Sequence, residues 1–262
     1  MNTPHTTAAA APTGKCPYTA TKNAVARFFG MAPTQPPSGN HAHAAPGVAV
    51  AAATGLHEAL KSATWPLHQR AEHHPFQAAI MRGSIPRAGY IAQLEQTLLV
   101  HEALEGHLAS LRARVPALAA MVQDHHFRVP HARADLAALG GSTSPTALAA
   151  TRAFIAEIGT CAATTPHALI GYLYVLEGST NGAKFIAKAL AKALGITDGR
   201  GLSYQDPHGE RQRERWTAFK EGLNTLELSD SQRPEVIEAA ASLFDWTIAV
   251  FDALAERHLP KV

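Results

Sequence analysis

The chain has 262 residues, enough for one large domain or two small ones, and 46% of them are hydrophobic, which suffices for a buried core. Only 17% are charged and the formal net charge is +2, so the composition excludes a general polyanion binder and favours neither nucleic acid nor an acidic membrane surface. The two cysteines, Cys16 and Cys161, stand far apart, which excludes a disulfide framework or zinc knuckle and fits a reducing cytoplasm.

Residues 1–54 are rich in Ala, Pro, Thr and Gly, with no basic stretch leading into a long apolar one, and the apolar run at 48–53 is far too short to span a bilayer. Such a composition buries too little apolar surface to offset its ordering entropy, so a mostly disordered extension is expected, with at most a short helix at 23–29. From Leu56 onward apolar residues recur at helical spacing, and no run of alternating β-branched residues appears. Helices are predicted over 56–81, 87–112, 145–160, 166–194, 209–227 and 231–258. Breaks are expected at Gly83-Ser84, Gly140-Gly141-Ser142 and Asp198-Gly199-Arg200-Gly201. The stretch 115–130 reads equally as helix or loop. Residues 55–262 are therefore expected to form one all-α domain of six or more helices.

Several common helical chemistries are absent from the sequence. There is no Glu-x-x-His pair for a di-iron bundle, no His-Glu-x-x-His zinc motif, no P-loop and no Gly-x-Ser-x-Gly elbow. Two other patterns stand out. In the first, His68 and Glu72 are i and i+4, so the carboxylate can hold one ring nitrogen while the other faces a metal. Lys61, two turns earlier, can meet an anionic group. The same pair also reads as an ordinary exposed ion pair, one of many that fifteen histidines would provide.

The second pattern is Glu177-Gly178-Ser179-Thr180-Asn181-Gly182-Ala183, inside a strongly apolar helix. Each mid-helix glycine costs about 1 kcal/mol against alanine. One explanation is close helix–helix packing. The other is a helix that kinks over a flat ligand and touches it with bare backbone.

Taken with these residues, Thr64-x-x-x-His68-x-x-Ala71-Glu72 resembles the proximal helix of haem oxygenases, and Glu177-Gly178-Ser179-x-x-Gly182-Ala183 resembles the kinked distal helix of their bacterial branch. A third block, Phe219-Lys220-x-x-Leu223-Asn224-x-Leu226-Glu227, with Phe244 and Phe251 after it, keeps the order and spacing of that family. The resemblance covers residues 56–258. It implies a single-domain fold that holds haem b between a proximal and a kinked distal helix, and oxidative cleavage of that haem to biliverdin, CO and ferrous iron. Dioxygen and an electron donor, such as a ferredoxin or a flavin reductase, are implied as partners, with a monomer or weak dimer in solution.

By the same resemblance His68 is the iron ligand and Glu72 its orienting partner. Gly178 and Gly182 bring backbone to the oxygen site, and Ser179 and Asn181, with Thr180, hold ordered water. Lys61 and Lys220, with Arg215 as a further candidate, meet the propionates, while Phe244 and Phe251 form pocket wall. The alternative is a non-catalytic haem-binding protein of the same fold. The chain departs from the family at Ser179, where some members carry Asp, at Asn181 and at Pro66, which must open or kink its helix. Its long N-terminal segment also departs, and Cys16-Pro17 there resembles a haem-responsive dipeptide.

Overall fold

Proline and glycine set the boundaries of nearly every element in the computed structural model, which describes residues 55–261. Those residues form ten α-helices and three short 3-10 turns, with no strand among them. The all-α expectation holds. The calls made for residues 1–54, including the short helix and Cys16-Pro17, lie outside the described residues.

The helix predicted over 56–81 is two helices, α1 (Leu56–Glu72) and α2 (Pro75–Met81). Pro75 forces the break: the residue before a proline is pushed to extended backbone, and His74 has φ −61°, ψ 138°. His74 then caps α2, its Nδ1 accepting from the Phe76 N–H at 3.1 Å. Pro66 neither opens nor ends a helix; it sits inside α1. The start of α1 is held from a distance, because the Asn224 Oδ1 accepts the His57 N–H at 3.1 Å.

α3 (Arg87–Leu111) runs as expected. The ambiguous stretch resolves into a short helix α4 (Pro116–Met121) and a 3-10 turn, followed by α5 (Val129–Leu139), which sequence periodicity does not reveal. The reason lies in Asp135, a charged residue on the buried face of α5. It accepts from Ser203 N–H and O–H and from Tyr204 N–H at 2.7–3.0 Å, so it breaks the apolar period while satisfying a loop. α6 (Ala149–Thr164) begins later than predicted, because the Gln96 amide brackets the preceding chain through Thr146 C=O and Leu148 N–H.

The helix predicted over 166–194 is a 3-10 turn followed by α7 (Leu169–Ser179) and α8 (Ala183–Leu194). α9 (Gln212–Thr225) and α10 (Gln232–His258) complete the chain, each starting slightly inside its predicted range. Residues Leu169–Glu177 of α7 are all buried, as expected of a helix apolar on every side. α10 packs against α1, α2, α3, α6 and α7 and spans about 40 Å at the usual rise. Its N-terminal half joins one core with α1, α6, α7 and α9, while its C-terminal half joins another with α2, α5 and α8.

The tightest contact is between α7 and α10. A Cβ on Gly171 would lie 2.0 Å from the Val236 carbonyl oxygen and 2.8 Å from the Ala240 nitrogen, both backbone atoms that cannot rotate away. Gly171→Ala is therefore expected to destabilise the fold by about 3 kcal/mol, the upper end of overpacking effects. Urea unfolding should show a lowered midpoint with an unchanged slope, and an unaltered midpoint would contradict this packing.

Candidate active site

Residues of α1 at three- and four-residue intervals fall on one helical face, and Lys61, Thr64, His68 and Ala71 line one wall of a cleft of about 840 Å³. Facing α1 are the end of α7, the turn at 180–182 and the start of α8; α10 supplies a third wall through Phe244, Thr247 and Phe251. The fourth wall is more polar and carries Gln93, Thr97, Arg128, Tyr204 and Gln205.

Two histidines of α1, His57 and His68, line this cleft. The His68 side chain is 49% exposed, stacked on Trp65 with centroids 5.4 Å apart and met edge-on by Phe244 at 6.0 Å. Its Nε2 lies 3.6 Å from Glu72 Oε2, a charge contact longer than a hydrogen bond. The neighbouring histidines are otherwise engaged: His73 Nδ1 bonds the Gln69 carbonyl at 2.7 Å, and His74 bonds both the Phe76 N–H and Asp252.

Opposite α1, the α-helical ladder stops at Ser179. The turn at 180–182 is closed by i→i−3 bonds from Thr180, Asn181 and Ala183 at 3.2–3.3 Å. Neither glycine is there for packing. A Cβ on Gly182 would meet nothing within 4 Å, and one on Gly178 would make only an ordinary 3.6 Å contact with Trp216. Both keep φ negative, so backbone conformation does not demand glycine either. What their hydrogens keep open is the cleft.

Ser179 Oγ donates to Leu176 C=O at 2.7 Å, Thr180 Oγ1 to Glu177 C=O at 2.6 Å, and Asn181 Nδ2 to Gly178 C=O at 3.0 Å. The hydroxyl protons of Ser179 and Thr180 and one amide proton of Asn181 are thus given to the backbone; Ser179 and Asn181 line the cleft, whereas Thr180 is buried.

Two cations, Lys61 and Lys220, line the cleft near His57. Lys61 is paired with Glu58 at 3.5 Å, with both side chains 57% exposed, a contact weak enough to yield to another anion. Lys220 lies 5.9 Å from the Trp216 ring centroid. Arg215 is not with them. Its Nη1 donates to His208 Nδ1 at 2.7 Å, so the expectation that it faces the cleft is not met. Phe244 lines the cleft as expected, while Phe251 lines it and also stacks on Phe76 at 5.3 Å, so it serves the core as well.

The same bond fixes a buried group behind α7. Since Arg215 can only donate, His208 carries its proton on Nε2 and donates to Glu177 Oε2 at 2.9 Å. Burial pushes the Glu177 carboxyl up, but the His208 hydrogen bond and the Arg128 charge outweigh it and hold the group below its ordinary value. Arg128, 2% exposed, donates to Leu176 C=O at 3.0 Å.

Sequence reasoning passed over His57, which lies three turns before His68 and so on the same face of α1, packed edge-on to Tyr174 and Trp216. That spacing was readable. Tyr204 and His208, by contrast, sit in the irregular chain between α8 and α9, where no periodicity points to them.

Among the described residues, all helical, an apolar cleft lies between a histidine-bearing helix and a helix broken at glycines, with two lysines in its lining. The chain belongs to the haem oxygenase family: the family model described as "Heme oxygenase" matches residues 54–253. Heme oxygenase 1 of Homo sapiens is 25% identical over 207 residues, covering 77% of this chain and 72% of the relative. Among solved structures, heme oxygenase-1 from the cyanobacterium Synechocystis, in complex with heme, superposes with a TM-score of 0.73 at 20% identity, over 78% of this chain and 94% of that one. Heme oxygenase from Leptospira interrogans gives 0.72 at 22% identity, over 76% and 100%. The protein is an enzyme that degrades haem. No helix of the described residues is long and apolar enough to cross a membrane.

Burial makes the fold sensitive to acid. His126, 4% exposed beside His125 and Phe219, is pushed down to about 4, chiefly by desolvation. Its unfolded value is near 6.5, so between those values the unfolded chain binds the extra proton and folding weakens as pH falls. His101 and His125 shift the same way, also by burial. From pH 7 to pH 5 the His126 contribution lost is about 2 kcal/mol. Urea titrations should show this loss, and His126→Gln should flatten the slope; an equal slope in both proteins would refute the assignment.

Proposed function

We propose that the cleft binds haem b as substrate with His68 on its iron, and that the enzyme opens the ring to biliverdin, CO and ferrous iron. The observation that carries this reading is the pair of glycines opposite His68, which neither packing nor backbone conformation requires. The donor set fits haem: one half-exposed imidazole, apolar walls, bare backbone across from the imidazole, and two lysines where carboxylates would emerge. When bound, haem supplies the iron at which dioxygen is activated and the carbon framework that is oxidised. Electrons come from a separate donor, with ferredoxins and flavin reductases fitting the need.

The chain's own residues then have separable tasks. His68 gives a neutral nitrogen ligand, less electron-releasing than a thiolate and so less inclined to force early O–O cleavage. Glu72 steadies the imidazole from the solvent side. Lys61 and Lys220 would hold the propionates and so help to orient the ring; as point charges they would orient rather than clamp. Gly178 and Gly182 would leave room for the bound group, and Ser179, whose hydroxyl proton is given to Leu176 C=O, would offer an oxygen lone pair to water there, while Asn181 keeps one N–H to donate.

His68→Ala is expected to abolish the iron–histidine Raman band and alter the Soret spectrum, while His73→Ala and His74→Ala keep both; a wild-type spectrum in His68→Ala would sink the ligand assignment. A Cβ on Gly182 meets no protein atom within 4 Å, so Gly182→Leu should fold and keep His68 ligation. Filling the space beside the iron should nevertheless slow haem loss at least tenfold, about 1.4 kcal/mol in barrier. Full-rate turnover with the same product isomer would show that the turn does not face the reaction. Stable haem binding without bilin formation in the wild-type protein would instead identify a binder.

A further inference from the structure

The polar wall of the cleft contains a group that the tasks above do not use. His101 of α3 is 1% exposed, with Nδ1 2.8 Å from Glu105 Oε1 and Nε2 2.9 Å from the Tyr204 hydroxyl. The direction of these bonds can be settled. Glu105 Oε1 also receives the Arg128 N–H at 2.7 Å, and both its oxygens receive the Val129 N–H at 3.2 Å. Backbone N–H groups only donate, so the Glu105 oxygens are committed as acceptors and His101 must carry its proton on Nδ1. Its Nε2 then holds a lone pair, and the Tyr204 hydroxyl proton points to it. The groups around the imidazole are Glu105 on its own helix, Arg128 ahead of α5, Glu177 on α7 and Tyr204 in the loop. Burial is the largest influence and favours the neutral ring.

Tyr204 lines the cleft, and its hydroxyl proton is given to His101. What it offers the cleft is therefore an oxygen lone pair. The Arg128 guanidinium lies 4.8 Å over the Tyr204 ring, and its Nε is buried without a partner; Gln93 Oε1 on the same wall is likewise buried and unpartnered. The unpartnered Arg128 Nε is a donor and the Tyr204 oxygen an acceptor on the same lining, and polar groups of both kinds are what an ordered water needs.

We propose that Glu105, His101 and Tyr204 form a hydrogen-bond chain of fixed polarity that makes the Tyr204 oxygen an acceptor on the cleft wall, where it orients a proton-donating water for haem oxidation. A water that gives one proton to Tyr204 keeps its second O–H for the substrate side. Glu105 acts on His101, and His101 on Tyr204, so all three are positioning residues. The inference rests on the haem-degrading reading of the cleft, and its test separates the two.

In the protein without haem, the nitrogen-15 spectrum should show His101 as the neutral Nδ1–H tautomer near pH 7; an Nε2–H tautomer or an imidazolium would overturn the polarity. Tyr204→Phe removes only the oxygen. It should leave the Soret spectrum and haem affinity within twofold of wild type, shift the His101 Nε2 resonance, lower the haem-degradation rate at least tenfold at saturating donor, and change the solvent deuterium isotope effect. Wild-type turnover and isotope effect in Tyr204→Phe would overturn the inference while leaving haem binding and His68 untouched. Failure of the wild-type chain to bind haem would remove the reading of the cleft, with the tautomer still deciding the direction of the chain.

Discussion

The cleft depends on how closely α7 can lie against α10. At Gly171 the two backbones approach until no Cβ fits, and Ala239 and Ala240 supply the matching small residues on α10. With α7 pressed there, its last turn ends at Gly178 and Ser179 on the cleft wall opposite α1, which α10 also supports. A helix that is apolar on all sides has no solvent face to give way, so the position of that last turn is set by packing. The space in front of His68 follows from this contact more than from anything on α1.

Behind α7 the design is polar. Glu177 is buried, and burying a carboxylate is costly unless it is paired and hydrogen-bonded. His208 donates to Glu177 Oε2 and is itself held by Arg215, and the Arg128 charge lies close enough to favour the carboxylate, while Glu177 Oε1 is left without a hydrogen-bond partner. Such a group fixes a unique arrangement because removing one partner leaves an uncompensated charge. It also explains why Arg215, a cation in the right block of sequence, does not line the cleft: His208 presents a lone pair inside the protein, and Arg215 is the donor that satisfies it.

Much of this was legible in the residues. The helical class, the register of His68 with Glu72, and the glycines at 178 and 182 could all be read, because helical period and glycine cost are local properties. The break at His73-His74 was also written in Pro75, and a prediction that carried one helix to 81 overlooked it. The rest depended on tertiary partners. α5 was hidden because Asp135 interrupts its apolar face, and that aspartate makes sense only once Ser203 and Tyr204 are seen beside it. Tyr204, His208 and Arg128 meet only after the loop following α8 folds back on α3 and α5. The choice between glycine as packing and glycine as access could not be made from spacing; it needed the empty surroundings of Gly182 set against the crowded ones of Gly171.

One difficulty remains for any protein that presents bare backbone to a flat apolar ligand. Ending a helix leaves carbonyl oxygens without partners, and covering them with haem would strand them. Here the turn solves this itself: the Thr180 and Asn181 N–H groups reach the Glu177 and Gly178 carbonyls, and three consecutive side chains add to them. Ser179, Thr180 and Asn181 donate in order to the carbonyls of Leu176, Glu177 and Gly178. Ser, Thr and Asn are the residues whose short side chains compete best for nearby backbone. That tendency makes them poor inside helices and suits them to ending one. The Ser179-Thr180-Asn181 run can thus be understood first as the device that lets α7 stop inside the protein. Ligand access follows from it: a turn that satisfies its own carbonyls needs no solvent or neighbouring helix to cover it. It can therefore face an apolar ligand at the two positions where glycine leaves nothing in the way.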